Sequence, residues 1–237
     1  MNVKMIGSCN HIKQFDLRLF EGRIFFATDL HGCYDLLHEQ LAINAFDTTK
    51  DLMFLGGDMC DRGPDSKYVL DYLDEPWIHC IRGNHEQIFI DAYDEEWNGP
   101  NTNCLLNNGG DWIKDVSVGH AKVIYQTFKD LPLAIELLLP NEKVGIVHAA
   151  VPYRDWDQFT NITNAELEWN GYSAAQWTRD SYRDRDTSIV KGIDRVYVGH
   201  NPTESGEVEV LGNVWHCDVG SFFRDKIAFM EITNGRA

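Results

Sequence analysis

The chain has 237 residues, 43% of them apolar, and carries a formal net charge of -16 from 21 Lys and Arg against 37 Asp and Glu. That size and apolar content suffice for a single domain over 1–237 with a buried core. The acidic balance argues against nucleic-acid binding and against docking on an anionic membrane face. No signal-peptide pattern opens the sequence, and no apolar run approaches the roughly 20 residues that span a bilayer, so the chain reads as cytoplasmic.

The first strand-like run is Ile24–Ala27. A helical stripe follows over Leu36–Ala45, with Leu37, Leu41 and Ala45 on one face. Leu52–Leu55 and Trp77–Ile81 read as further strands, and Tyr68–Leu73 and Gln87–Tyr93 as short helices, giving a β-α-β-α-β opening. The stretch from about 94 to 130 is poor in strand signals and holds the turn Asn107-Asn108-Gly109-Gly110, which predicts a helical insertion or cap. Strands resume at Leu133–Leu139, Lys143–Val147, Val196–Val198 and Val214–Cys217. Between them, a polar stretch over Asp155–Thr187, with Trp156, Trp169 and Trp177, is a candidate border for a substrate groove. Cys9, Cys33, Cys60, Cys80, Cys104 and Cys217 lie far apart without a C-x-x-C pair, so they read as reduced, mostly buried thiols.

Chemistry-bearing residues fall where these strands end. Asp29 and His31 follow the first, Asp58, Asp61 and Arg62 the second, and Arg82, Asn84, His85 and Glu86 the third. His148 and His200 follow two later strands. In open α/β sheets ligands gather at the carboxyl ends of the strands, so five strand ends deliver these groups to one rim. Asp29 and His31, two apart, are expected to point the same way from an extended backbone before the turn at Gly32. Carboxylate with imidazole suits Mn, Fe, Zn or Ni better than calcium.

Taken singly, these segments have bland readings. Asp29 and His31 read as a solvated loop, Asn84 as a helix N-cap, and Asp61 with Arg62 as a surface ion pair. Their joint occurrence at successive strand ends outweighs that. His11, His38, His79 and His120 have no ligand-like context and read as surface or core residues, while His216 is intermediate between core and a group near the site. Trp112, Tyr153, Trp156 and Tyr182 read as core ahead of groove lining.

Asp29-x-His31-Gly32, Gly57-Asp58-x-x-Asp61-Arg62-Gly63 and Gly83-Asn84-His85-Glu86, with His148 and His200 in order, resemble the three motifs of the serine/threonine phosphoprotein phosphatase superfamily. The likeness is to its bacteriophage lambda type and covers nearly the whole chain. It implies an α/β, calcineurin-like metallophosphoesterase sandwich of two mixed β-sheets flanked by helices. Asp29, His31 and Asp58 would hold one metal ion, and Asp58 would bridge to a second held by Asn84, His148 and His200. The expected cofactors are two divalent ions, Mn2+ preferred, with Fe, Zn, Ni, Co or Mg admissible, generating a hydroxide for in-line attack.

Arg62 and Arg82 fit as guanidinium clamps on the phosphate, and Arg179 resembles the family's downstream phosphate-binding arginine. His85 fits as the general acid, with Asp61 orienting its ring. Where the family has glycine before the first aspartate, this chain has Thr28; Asp218-Val219-Gly220-Ser221 stands close to its Asp-Thr-Gly element. The implied activity is dephosphorylation of phosphoserine and phosphothreonine, with phosphotyrosine a further substrate and small phosphoesters also accepted. The competing expectations are a diadenosine tetraphosphate hydrolase with the same metal centre and, more remotely, a catalytically silent metal-containing binding module.

Overall fold

Strands apolar at every position need cover on both faces, and that requirement sets the layering. The computed structural model describes residues 4–9, 11–162 and 172–232. Among these, β3 (Ile24–Ala27), β4 (Leu52–Leu55) and β5 (Ile78–Cys80) pair in parallel, and β11 (Met230–Glu231) adds antiparallel to β3, making a four-stranded sheet. A seven-stranded sheet holds β1 (Lys4–Cys9), β2 (Ile12–Asp16), β6 (Ala134–Leu138), β7 (Lys143–Val147), β8 (Arg195–Val198), β9 (Glu209–Leu211) and β10 (Val214–His216), in the order β1-β2-β6-β7-β8-β10-β9. Within it β7, β8 and β10 run parallel to one another.

The two faces of each strand go to different cores. Ile24, Phe26, Leu52 and Phe54 meet Ile135, Leu137, Val144, Ile146 and Tyr197 between the sheets, with the Phe26 and Tyr197 rings 5.0 Å apart. Phe25, Ala27, Met53 and Leu55 point the opposite way, into a cluster with Leu37 of α1 (Tyr34–Ile43), Val69 of α2 (Val69–Leu73), Phe89 of α3 (Asn84–Asp94) and Phe128 of α5 (Val118–Asp130). On the far side of the larger sheet Ala134, Val147, Val196 and Val198 pack on Trp156 and Phe159 of α6 (Trp156–Thr160). The result is the expected α/β sandwich of two mixed sheets between helical layers. Truncating a wholly buried ring such as Phe26 or Phe54 to alanine would cost about 3–5 kcal/mol.

The strand pattern after Gly22 follows the sequence reading closely, but β1, β2, β9 and β11 were not anticipated. β9 and β11 are edge strands of three and two residues. In β2 the burial is irregular, with Ile12 and Phe15 buried three positions apart, so no period of two marks it. In the stretch expected to be helical, α4 (Pro100–Asn107), a 3-10 turn over Gly110–Asp115 and α5 are found. α3 begins at Asn84 rather than Gln87, with Gly83 as its N-cap: Glu86 accepts the Gly83 N–H at 2.8 Å. Trp169 lies outside the described residues. Among those residues no helix is long and apolar enough to cross a membrane.

Candidate metal centre

All six strands that matter end on the same side. β3, β4 and β5 in one sheet and β7, β8 and β10 in the other are parallel within their sheets, and their carboxyl ends carry Asp29 and His31, Asp58, Asn84, His148, His200 and Asp218 respectively. The loops leaving β3 and β4 stay paired, because Asp29 N–H donates to Gly57 O (3.1 Å) and His31 N–H to Asp58 O (2.9 Å).

Asp29 and His31 do not sit on an extended backbone, contrary to the sequence expectation. Their φ values are 52° and 47°, and Asp58, Asp61, Arg62 and His200 are also left-handed at 54°, 69°, 71° and 64°. Residues with a Cβ seldom adopt this region, and such positions cluster at functional sites where surrounding bonds hold them. Two glycines make the close approach possible. A Cβ at Gly83 would fall 2.3 Å from Oδ1 of Asp58, and one at Gly199 would fall 1.9 Å from Oδ2 of Asp29.

Two triads of buried side chains bring ligand atoms within 4.8 Å of one another: His31, Asp58 and His85, and Asp58, His148 and His200. Asp58 is common to both. Oδ1 of Asn84 faces Nε2 of His148 at 2.9 Å and Nδ1 of His200 at 2.8 Å, which joins it to the second group. Asp29 belongs to neither triad; its carboxylate accepts the His200 backbone N–H and, at 2.6 Å, the Thr28 hydroxyl. The threonine that replaces glycine therefore orients the first aspartate. Gly56 and Gly199 leave it room, since a Cβ on either would lie 2.4 Å from its Oγ1.

Three of the four histidines in these groups have one ring nitrogen tied to a backbone carbonyl. Nδ1 of His31 lies 2.9 Å from Cys60 O, Nδ1 of His148 lies 2.7 Å from Gly56 O, and Nε2 of His200 lies 3.0 Å from Trp177 O. Donation to those carbonyls leaves the opposite nitrogen as a lone-pair donor turned inward, the arrangement that metal-ligating imidazoles adopt. Glu86, for which the sequence suggested no role, accepts the N–H groups of Asp58, Met59 and Gly83 at 2.8–2.9 Å and pins the β4 loop to the start of α3. Gln176 likewise donates to the carbonyls of Arg82 and Gly83.

The electrostatics ask for positive charge. Burial, with Asp218 beside it, pushes the Asp29 carboxyl well above the usual range, and burial pushes Asp218 up to about 6. Burial works against a charged His148, yet Asp58 and Asp29 outweigh it and raise that imidazole to about 10. Burial lowers His31 and His200 to about 3, which keeps both as neutral donors. Buried carboxylates in mutual repulsion, the neutral imidazoles of His31 and His200, a His148 that gives up its proton when a cation takes its place, and one amide oxygen form a donor set that fits divalent cations of the first transition row.

The remaining candidates surround this centre. Nδ1 of His85 lies 2.7 Å from Oδ2 of Asp61. Burial disfavours the His85 charge, but Asp58 and Asp61 prevail and its pKa is raised. Arg62 is exposed, donates to Nε2 of His31 at 2.7 Å and lies 5.0 Å over the Phe222 ring. Arg179 donates to His200 O and to Asn201, and burial, then Arg183 and Arg62 among its neighbours, lowers its pKa. Arg82 instead rests on Oε1 of Gln87 at 3.1 Å.

His216 is buried against Tyr182, with ring centroids 4.9 Å apart. Trp112, Trp156 and Tyr182 are buried too, and only Tyr153 of the four aromatic candidates is exposed. Cys33, Cys60, Cys80, Cys104 and Cys217 are free, and Cys60, Cys80 and Cys217 are buried.

Residues 22–220 match the family model described as calcineurin-like phosphoesterase. Serine/threonine-protein phosphatase 1 of Salmonella typhimurium is 28% identical over 207 residues, covering 86% of this chain and 89% of its own. A symmetrical bis(5'-nucleosyl)-tetraphosphatase of Buchnera aphidicola subsp. Schizaphis graminum is 39% identical over only 72 residues, 30% of this chain and 26% of its own. Among solved structures, a protein serine/threonine phosphatase from Saccharomyces cerevisiae superposes with a TM-score of 0.62 at 18% identity, covering 95% of this chain and 77% of that one.

Proposed function

Because the chain belongs to the calcineurin-like phosphoesterase family, a family of hydrolases with a binuclear metal centre, we propose that it acts in the cytoplasm as a protein phosphatase on phosphoserine and phosphothreonine. Phosphotyrosine and small aryl phosphates are secondary substrates. The observation that carries this reading is the sharing of Asp58 between two buried ligand groups. A bridging carboxylate is what a two-ion centre needs, and the likeness to a bacterial serine/threonine-protein phosphatase over most of both chains favours protein substrates.

In this reading Asp29, His31 and Asp58 hold one ion, and Asp58, Asn84, His148 and His200 hold the other, with Mn2+ the preferred metal. Two divalent ions bound there would supply an activated water and neutralise charge on the phosphoryl oxygens. Arg62 and Arg179 meet the nonbridging oxygens of the phosphate with paired donors. Arg82 serves as a further clamp once its guanidinium leaves Gln87. His85 gives a proton from Nε2 to the departing alkoxide, and Asp61 holds the ring from Nδ1.

The second reading, a dinucleoside tetraphosphate hydrolase, draws on the short match to the Buchnera enzyme. Metal-stripped and Mn-reloaded protein should be compared on p-nitrophenyl phosphate, a phosphoserine peptide and diadenosine tetraphosphate. Mn-dependent phosphate release from the first two supports the proposal. Preference for the dinucleotide moves the assignment, and silence on all three with metal bound returns it to a binding module.

A further inference from the structure

The pair Asp61–His85 is gripped from outside the motifs that contain it. Trp112 lies in the 3-10 turn Gly110–Asp115, between α4 and α5. Its indole Nε1–H donates to Oδ1 of Asp61 at 2.6 Å, while Oδ2 of the same carboxylate faces Nδ1 of His85 at 2.7 Å. Asp61 and His85 are wholly buried and Trp112 nearly so, with its ring parallel to Phe89 at 5.7 Å. Three residues earlier, the Gly109 carbonyl accepts the Arg62 N–H at 3.1 Å. Gly109 has φ +91°, and a Cβ on it would fall 2.6 Å from that nitrogen. One turn therefore holds both members of Asp61-Arg62, two consecutive left-handed residues.

A carboxylate engaged on both oxygens cannot rotate about its Cβ–Cγ bond without breaking one of the two contacts. Indole N–H is a donor only, so it fixes Oδ1 as an acceptor and leaves Oδ2 to take the His85 Nδ1–H. That sets the imidazole plane and turns Nε2 toward the ligands, 3.8 Å from Oδ2 of Asp58. We propose that Trp112 is a positioning residue for leaving-group protonation, acting through Asp61 on His85. The stretch between β5 and β6 would then serve the site as a brace behind the proton donor. The inference rests on His85 being the general acid.

Trp112→Phe keeps an aromatic side chain beside Phe89 and removes the N–H together with the five-membered ring. The expected result is a fall in kcat of about tenfold or more for a phosphoserine peptide and less than about threefold for p-nitrophenyl phosphate, whose leaving group needs no proton. KM and bound metal stay as in the wild type. If Trp112 acts through His85, adding Trp112→Phe to His85→Asn lowers the rate no further.

Equal losses on the two substrates, or an additional loss in the His85→Asn background, overturn the inference. His85→Asn without leaving-group bias removes the acid reading and this inference with it. Bias in His85→Asn but none in Trp112→Phe removes the inference alone. Should Trp112→Phe fail to fold, β-(3-benzothienyl)alanine placed at 112 alone exchanges N–H for sulfur at nearly unchanged shape, and the same comparison decides.

Discussion

Nε2 of His148 lies 3.3 Å from Oδ1 of Asp58, while the other oxygen of that carboxylate lies 3.7 Å from Nε2 of His31. One carboxylate thus faces both ligand groups. Asp58→Asn keeps the size and the oxygen acceptor but loses the charge that lets one group serve two cations. The variant is expected to lose both ions on dialysis and to fall by about three orders of magnitude or more in turnover, because both water activation and charge neutralisation need the pair. Metal content by mass spectrometry checks this. Retention of two ions per chain would show that Asp58 is not the bridge.

His85 sits beside the centre with Nδ1 committed to Asp61. His85→Asn should keep both ions and lose kcat by about two to four orders of magnitude on alkyl phosphates, the usual range for a lost general acid, with a smaller loss on aryl phosphates. Steady-state rates across phosphomonoesters of graded leaving-group pKa measure the dependence directly. A parallel drop for all leaving groups would assign His85 to metal binding, as its place in the His31 and Asp58 triad allows.

The three arginines differ in where their guanidinium groups stand. Arg62 reaches His31, and Arg179 feels the charges of Arg62, Asp29 and Asp218, whereas Arg82 rests on Gln87. Arg62→Ala and Arg179→Ala should each lower kcat/KM by about 2–4 kcal/mol of transition-state stabilisation and weaken inhibition by inorganic phosphate, with metal still bound. Arg82→Ala should cost less than either. An Arg82→Ala loss equal to the others would mean that its guanidinium, once off Gln87, clamps the phosphate as fully as theirs, and no loss at all would leave it a structural residue.

Most of the site was legible because it lies at strand ends, and β3, β4 and β7 announce themselves as apolar runs covered on both faces. Strand ends put Asp58 and His148, ninety residues apart, on one rim, and the family resemblance implied that they share a metal ion. The left-handed backbone at Asp29 and His31 could not be read, because tertiary bonds such as Asp29 N–H to Gly57 O impose it against the preference of residues bearing a Cβ. The glycines around the site, Gly57, Gly83 and Gly199, were the available signal of close approach. Trp112 read as core, and it is buried, but nothing local links it to Asp61 fifty-one positions away. Glu86, three residues after Gly83, has the spacing of a capping box, the one local signal of its role.

Acid should weaken the fold through histidines remote from the metal ligands. Burial, with Lys13 next in effect, lowers His79 to about 4, and burial lowers His216 to about 4. In the unfolded chain both titrate near the ordinary value of about 6.5. Between these values the unfolded chain binds protons that the fold refuses, so the stabilisation is fully present above about pH 6.5, erodes as pH falls, and stops eroding below about pH 4.

His79 is tilted against Phe15 at 4.6 Å and Phe54 at 5.2 Å, a setting that accepts a benzene ring. His79→Phe should therefore lose less stability than the wild type between pH 7 and pH 5, by on the order of 1–2 kcal/mol. Urea unfolding of both proteins in chelator isolates the effect, because the net charge of -16 affects the two alike and cancels in the difference. Identical pH slopes for the two proteins would mean that His79 takes up its proton without loss of fold.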